Sequence, residues 1–234
     1  MSVSPTPTRS LDGARILIVG ASGGMGRPLA AALTARGAQL ALAGRDASRL
    51  GDLGVDAGRT FAFDLADAAA AQPLIGSAAE ALGGLDGVIC CAGAVAFGPL
   101  DEIPLDILHE IVAVDLVGPL VLARAAIPVL PRGGFVLNIS GIVAEIPTAG
   151  LVSYSAAKAG ISAGFRALAR EVRPRGISVI DARPPHTETG LAGRPLHGDT
   201  PKMRPGLDPG VVAERLVRAI ELDERDVPAS SFAP

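Results

Sequence analysis

The sequence predicts an α/β protein built on one Rossmann-type, doubly wound parallel sheet with helices on both faces. Three observations carry this reading. Short aliphatic and β-branched runs recur along the chain, as in strands buried on both faces. Stretches of helical length separate them, so strand and helix alternate. No repeat, low-complexity linker or composition break divides the 234 residues, so a single domain spans 13–234 behind a loose tail at 1–12.

The elements follow in order. "ARILIVG" (14–20) is a buried strand ended by Gly, and the Ala/Leu-rich stretch 24–37 is a helix stopped by Gly37. A second strand covers 38–44, then a weak helix, then a third strand at 59–64. A helix around 67–82 leads to the strand "LDGVICCAG" (85–93), a long helix from 104 to 130 and the strand "GGFVLNIS" (133–140). A helix at 153–173, the strand "GISVIDA" (176–182), a Pro-rich loop, a helix at 208–222 and a short terminal strand complete the pattern.

Composition narrows the function. Hydrophobic residues make up 49% and charged residues 19%, ample for a core and against disorder. A net charge of −3 gives no basic footprint for nucleic acid. The longest uncharged stretch, Gly87 to Leu100, is too short to cross a bilayer, and "MSVSPTPTRS" has no apolar core of a secretory signal. The only cysteines, Cys90 and Cys91, are adjacent inside an apolar run. They read as buried thiols in a reducing compartment, with no metal site, and the chain is expected to be soluble and cytoplasmic.

The first chemical signal is "VGASGGMG", between the first strand and the first helix. Gly20, Gly24 and Gly26 let the backbone turn sharply and approach a pyrophosphate, which would sit on the free N–H groups and positive end of the helix. Ser22 and Met25 lie within the same loop. At the end of the second strand an acid would accept from a ribose 2′-hydroxyl, and a cation would hold a 2′-phosphate. Here "AGRD" offers Arg45 first, while Asp46 is a natural helix N-cap, so NADP(H) is favoured over NAD(H).

The second signal is "LVSYSAAK". Tyr154 is the only tyrosine, and Lys158 follows it by four residues, on the same helix face. Hydride transfer between a nicotinamide and a carbonyl or carbinol carbon needs a proton given to, or taken from, the oxygen. Bringing a phenol from about 10 to about 7 takes roughly 4 kcal/mol of anion stabilisation, and a nearby ammonium has the right sign.

With these residues in place, the chain resembles the short-chain dehydrogenase/reductase family from about residue 13 to 230. The resemblance places the family's glycines on Gly20, Gly24 and Gly26, with Val19 where a Thr is usual. Its acidic residue near the adenine falls on Asp64, followed by Leu65. Its Asn-Ala-Gly motif falls on Cys91, Ala92 and Gly93, so the Asn is lost. Its segment contacting the nicotinamide falls on Pro184, Pro185 and Thr189, with Thr187 a further contact. Tyr154 and Lys158 match its Tyr-x-x-x-Lys, and Lys158 would also hydrogen-bond the nicotinamide ribose.

Two departures affect the chemistry. The family's Ser, thirteen residues before the Tyr, falls on Gly141, with Ser140 one place early. The family's Asn in the long helix falls on Asp115, where a carboxylate could keep a proton relay to the lysine while raising its pKa. The catalytic set is therefore Tyr154, Lys158, Ser140 and Asp115. Ser140 reaches the substrate only if the strand ends or bulges at Gly141; otherwise its hydroxyl faces away. His186 is a second replacement donor, whereas His109 and His197 read as surface residues.

Gly141, Ile142, Val143 and His186 are the candidate substrate contacts. Ile146, Leu151 and Phe97 extend an apolar wall, and segment 190–206 reads as a mobile substrate loop. The expected activity is interconversion of a carbonyl and an alcohol on a small, mainly apolar molecule. The alternatives are a cofactor-binding sensor or assembly protein that lost this chemistry, and a lyase or isomerase of the same fold. By analogy with the family, a homodimer or homotetramer would form through the apolar stretch 116–130 and the helix after Tyr154.

Overall fold

The computed structural model describes residues 8–232. Seven parallel strands form one sheet in the order β3-β2-β1-β4-β5-β6-β7. They are β1 (Arg15–Val19), β2 (Gln39–Gly44), β3 (Thr60–Ala62), β4 (Gly87–Cys90), β5 (Phe135–Ile139), β6 (Ser178–Ala182) and β7 (Asp226–Val227). The helices are α1 (Gly26–Thr34), α2 (Ala71–Leu82), α3 (Leu105–Val112), α4 (Gly118–Ala126), α5 (Val152–Glu171) and α6 (Pro209–Leu222). The strand order reverses between β1 and β4, and ligands of such sheets bind outside the carboxyl ends of the strands at that point.

The sheet is buried on both faces, which explains the unbroken apolar runs. In β1, Leu17 and Val19 join the core beneath α2, α4 and α5, while Ile16 and Ile18 join the core beneath α1 and α6. The strands are shorter than the apolar runs, because Gly20, Cys91 and Ser140 already belong to the loops at their carboxyl ends. The weak helix after β2 is a 3-10 turn over Ala47–Leu53, capped by the Asp46 carboxylate, which accepts from the Ser48 N–H at 3.0 Å.

Two local features differ from the sequence reading. The long helix 104–130 contains a π turn over Ala113–Val117, between α3 and α4. Pro119 has no N–H to donate to the Asp115 carbonyl four residues back, so the α ladder is interrupted there. The tail is also not loose over its described part. Leu11 is buried, and the Arg9 guanidinium donates to the Ile220 carbonyl at 2.7 Å and to Asp223 at 3.1 Å, above the Phe135 ring. Residues 1–7, the rest of the expected tail, lie outside the described residues. No helix among the described residues is long and apolar enough to cross a membrane.

Candidate active site at the carboxyl ends of the strands

A cleft of about 670 Å³ opens over the carboxyl ends of β1, β2, β4, β5 and β6. Its floor is the glycine turn. Gly20 has φ +87°, and a Cβ there would stand 2.6 Å from the Ala92 nitrogen, so the β1 and β4 loops can approach only at a glycine. Gly24 lies against the Thr189 backbone, while Ser22 and Met25 line the cleft. Gly26 sits behind, where a Cβ would meet the Gly20 carbonyl at 2.3 Å; it permits the close packing of α1 on the turn.

Arg45 follows β2 on the cleft wall, and Asp46 is occupied as the cap of the turn that follows. Arg49 lines the same wall and was missed in the sequence, although "RDASR" places a second guanidinium one turn beyond Arg45. Asp64 and Leu65 line the cleft after β3, the Asp64 carboxylate accepting from the Ala66 N–H at 3.0 Å. Cys91, Ala92 and Gly93 contribute after β4, and Pro184, Thr187 and Thr189 after β6. Cys90 is buried and Cys91 half-buried, both as free thiols. Burial pushes the Cys90 thiol up to about 12 and raises Cys91 as well.

Tyr154 and Lys158 project into this cleft from the first turns of α5. The Lys158 ammonium donates to the Ile139 carbonyl at 3.0 Å and meets Asp115 Oδ1 at 3.1 Å. The π turn carries Asp115 inward, where it is fully buried and accepts from the Ala94 N–H at 3.3 and 3.4 Å. Burial lowers the lysine's affinity for its proton, yet the adjacent carboxylate and phenol prevail and hold Lys158 above the ordinary lysine range. Burial raises the Asp115 pKa, against the pull of Lys158 and the Ala94 N–H. At Tyr154 the lowering by the ammonium that the sequence implies is present but outweighed. Burial raises its pKa above 10.0, Lys158 lowers it, and Asp115 adds to the rise.

Ser140 is a correction to the sequence reading. Although the residue lines the cleft, its hydroxyl is fully buried and donates to Asp181 Oδ1 at 2.6 Å, away from the position expected of a substrate donor. The strand does end before Gly141, which has φ +79°, but the turn leaves Ser140 inside the protein. Asp181 also accepts from Ser162 at 2.6 Å and from Arg183 at 2.7 Å. Arg183 reaches on to Glu145 and Asp226. This buried network was not legible in the sequence, because its members are distributed over the loop after β5, α5, the end of β6 and β7.

The remaining candidates divide. Gly141, Ile142, Val143, Leu151 and Phe97 line the cleft, with nothing within 4 Å of a Cβ built at Gly141. His186 also lines it, with Nε2 facing Glu188 at 3.4 Å. Ile146 is exposed and does not line the cleft. The segment 190–206 closes one side through Leu191, Ala192, Arg194, Leu196 and Met203. It is stitched to its surroundings rather than free. Leu196 N–H donates to the Val95 carbonyl at 2.8 Å, Phe97 N–H to the His197 carbonyl at 2.9 Å, and Gly206 N–H to Glu188 at 2.6 Å.

The fold and cleft define a doubly wound α/β protein with a Tyr–Lys pair beside a glycine turn. The short chain dehydrogenase family matches residues 14–197, and the chain belongs to that family of oxidoreductases. It is 31% identical to the glycine betaine reductase ATRR of Emericella nidulans over 95% of this chain, a match that spans 19% of that much longer protein. It is 28% identical to an uncharacterised oxidoreductase of Staphylococcus aureus, over 87% of this chain and 89% of the other. A solved short-chain dehydrogenase from Burkholderia cenocepacia in complex with NADP superposes with TM-score 0.82 at 28% identity, covering 96% of this chain and all of the other.

Proposed function

We propose that this protein interconverts a carbonyl and an alcohol on a small, mainly apolar substrate, using NADP(H). The observation that carries this reading is the placement of Tyr154 and Lys158 on one face of α5, in the same cleft as the glycine turn. When bound, the nicotinamide nucleotide supplies or accepts the hydride. The cleft fits such a group: at Gly20 and Gly24 the backbone packs so closely that a side chain would collide, leaving main chain to face the pyrophosphate. Thr187, Thr189 and Pro184 would hold the nicotinamide end, and Asp64 and Leu65 the adenine end.

Preference for the 2′-phosphate is supported by Arg45 and Arg49, two guanidinium groups on the same cleft wall. The Burkholderia relative was solved with NADP. Tyr154 exchanges the proton with the substrate oxygen. Lys158, with two of its three donors on Asp115 and Ile139, keeps one for the ribose. Phe97, Val143, Leu151 and Leu196 exclude water from the reacting carbon. Self-association through α4, the turn before it and α5 is supported by exposed Leu120, Val117 and Val152.

A second reading, a cofactor-binding protein without hydride transfer, is favoured by one observation: Gly141 and the inward Ser140 leave no hydroxyl where the family has its Ser. Fluorescence titration with NADPH and NADH, followed by turnover on a panel of carbonyls, separates the two. The expected result is tighter NADPH binding, weakened about tenfold or more by Arg45→Ala with Arg49→Ala, and turnover abolished by Tyr154→Phe. NADPH binding with no hydride exchange on any carbonyl selects the second reading.

A further inference from the structure

We propose that Asp115, ion-paired with Lys158 inside the protein, offsets part of the ammonium's field at Tyr154, so that the buried Tyr154 stays a phenol through the neutral range and serves as proton donor in carbonyl reduction. The inference rests on the reading of Tyr154 as the proton-exchanging group. It adds that Asp115, a positioning residue acting through Lys158, sets the protonation state in which that group works.

The geometry carries it. Asp115 Oδ1 lies 3.1 Å from Lys158 Nζ, and the Ala94 N–H points at both carboxylate oxygens. Each of these neighbours is a donor, the arrangement of an ionised carboxylate rather than of an acid with a proton to give. The pair is desolvated, with Asp115 fully buried and Lys158 nearly so. Even Gly93 is pressed against it, since a Cβ there would stand 3.1 Å from Oδ1 and 3.5 Å from Nζ. In such a poorly screened setting, two opposite charges this close present a dipole to a third group, and its field falls off faster than that of a lone cation.

Other titratable groups face the same space. Cys90 on β4 adjoins the pair and stays neutral, its thiol pushed up to about 12. Glu110 on α3, His186 after β6 and Arg194 in segment 190–206 line the cleft, and Glu145 is drawn away by Arg183. Lys158 Nζ stands 5.7 Å from the centre of the Tyr154 ring; burial raises the phenol, the ammonium lowers it, and Asp115 offsets part of that lowering. An amide at position 115 would leave the ammonium uncompensated.

The reaction remains balanced in either direction. Bound NADPH would supply the hydride for reduction, Tyr154 gives the proton to the carbonyl oxygen, and the tyrosinate is then reprotonated from solvent. The pair does not alter the equilibrium; it sets the pH at which the phenol limb falls.

The sequence supplies its own reporter. With one tyrosine and no tryptophan, the near-ultraviolet tyrosinate band titrates Tyr154 alone. The test is to titrate the wild type and Asp115→Asn, with circular dichroism confirming the fold throughout. The expected wild-type midpoint lies above 10.0, and the variant's lies at least about one unit lower, a tenfold rise in tyrosinate below both midpoints. Wild-type kcat/KM for reduction stays flat into alkaline solution, while the variant's falls from a lower pH. Equal midpoints, or a wild-type midpoint below 10.0, overturn the proposal. Asp115→Ser replaces Asp115→Asn if the latter does not fold. The band needs no substrate, so failure to find hydride transfer would remove the carbonyl reading while the titration still decides this one.

Discussion

Ser140 Oγ donates to Asp181 Oδ1 at 2.6 Å, and this bond turns the last polar side chain of the β5 end into the protein instead of the cleft. Ser140→Ala removes one of the donors to a buried carboxylate. It should cost about 1–3 kcal/mol of stability, read by denaturant unfolding, and lower turnover far less than Tyr154→Phe does. A loss of turnover equal to that of Tyr154→Phe at unchanged stability would return Ser140 to the chemistry.

Gly141 has open space around its missing Cβ, yet its φ of +79° and ψ of 166° lie where side chains are strained. Gly141→Ser should therefore destabilise the fold by about 1–3 kcal/mol without raising turnover. A faster, equally stable variant would show that the turn relaxes to present the new hydroxyl.

At Gly24 a Cβ would come within 2.1 Å of the Thr189 carbonyl. Gly24→Ala must push the loop after β6 away from the glycine turn. The expected outcome is weakened NADPH binding by fluorescence titration, with the melting temperature changed less than affinity. Wild-type affinity would mean that this approach does not hold the nucleotide.

Acid stability follows from Asp86. Hydrogen bonds from the Arg15 guanidinium outweigh burial and hold its carboxyl below 3.8. The folded value is lowered, so the stabilisation is present in full above 3.8 and is lost as pH falls through the lower folded value. For a pair about a third exposed this amounts to about 1 kcal/mol or less. Asp86→Asn should be less stable at neutral pH and indistinguishable from wild type in strong acid, by unfolding at each pH.

The alternation of strands and helices, the glycine turn and the Tyr154–Lys158 pair were legible in the sequence, because each depends on local periodicity or spacing. Arg9 was not: "SPTPTRS" has no periodic signal, and its order comes from the carbonyl of Ile220 at the far end of the chain. The identity of Asp115 and its upward pull on Lys158 were legible; its effect on Tyr154 was not. The π turn that carries it inward, and the burial that sets its charge against Tyr154, arise only in the folded helix pair. Ser140 illustrates the same limit, since alternation along a strand leaves a terminal hydroxyl undecided until Asp181 is placed beside it.

Arg183 stands apart from the cleft, yet its one guanidinium ties Asp181, Glu145 and Asp226 together. Through Asp181 it holds Ser140 and α5 by Ser162, and through Glu145 it holds the turn that carries Ile142 and Val143. A survey of inactivating substitutions would score Arg183 beside Tyr154, although none of its atoms meets a reactant. For this chain, sensitivity to mutation will outline the masonry behind the reaction as sharply as the reaction itself.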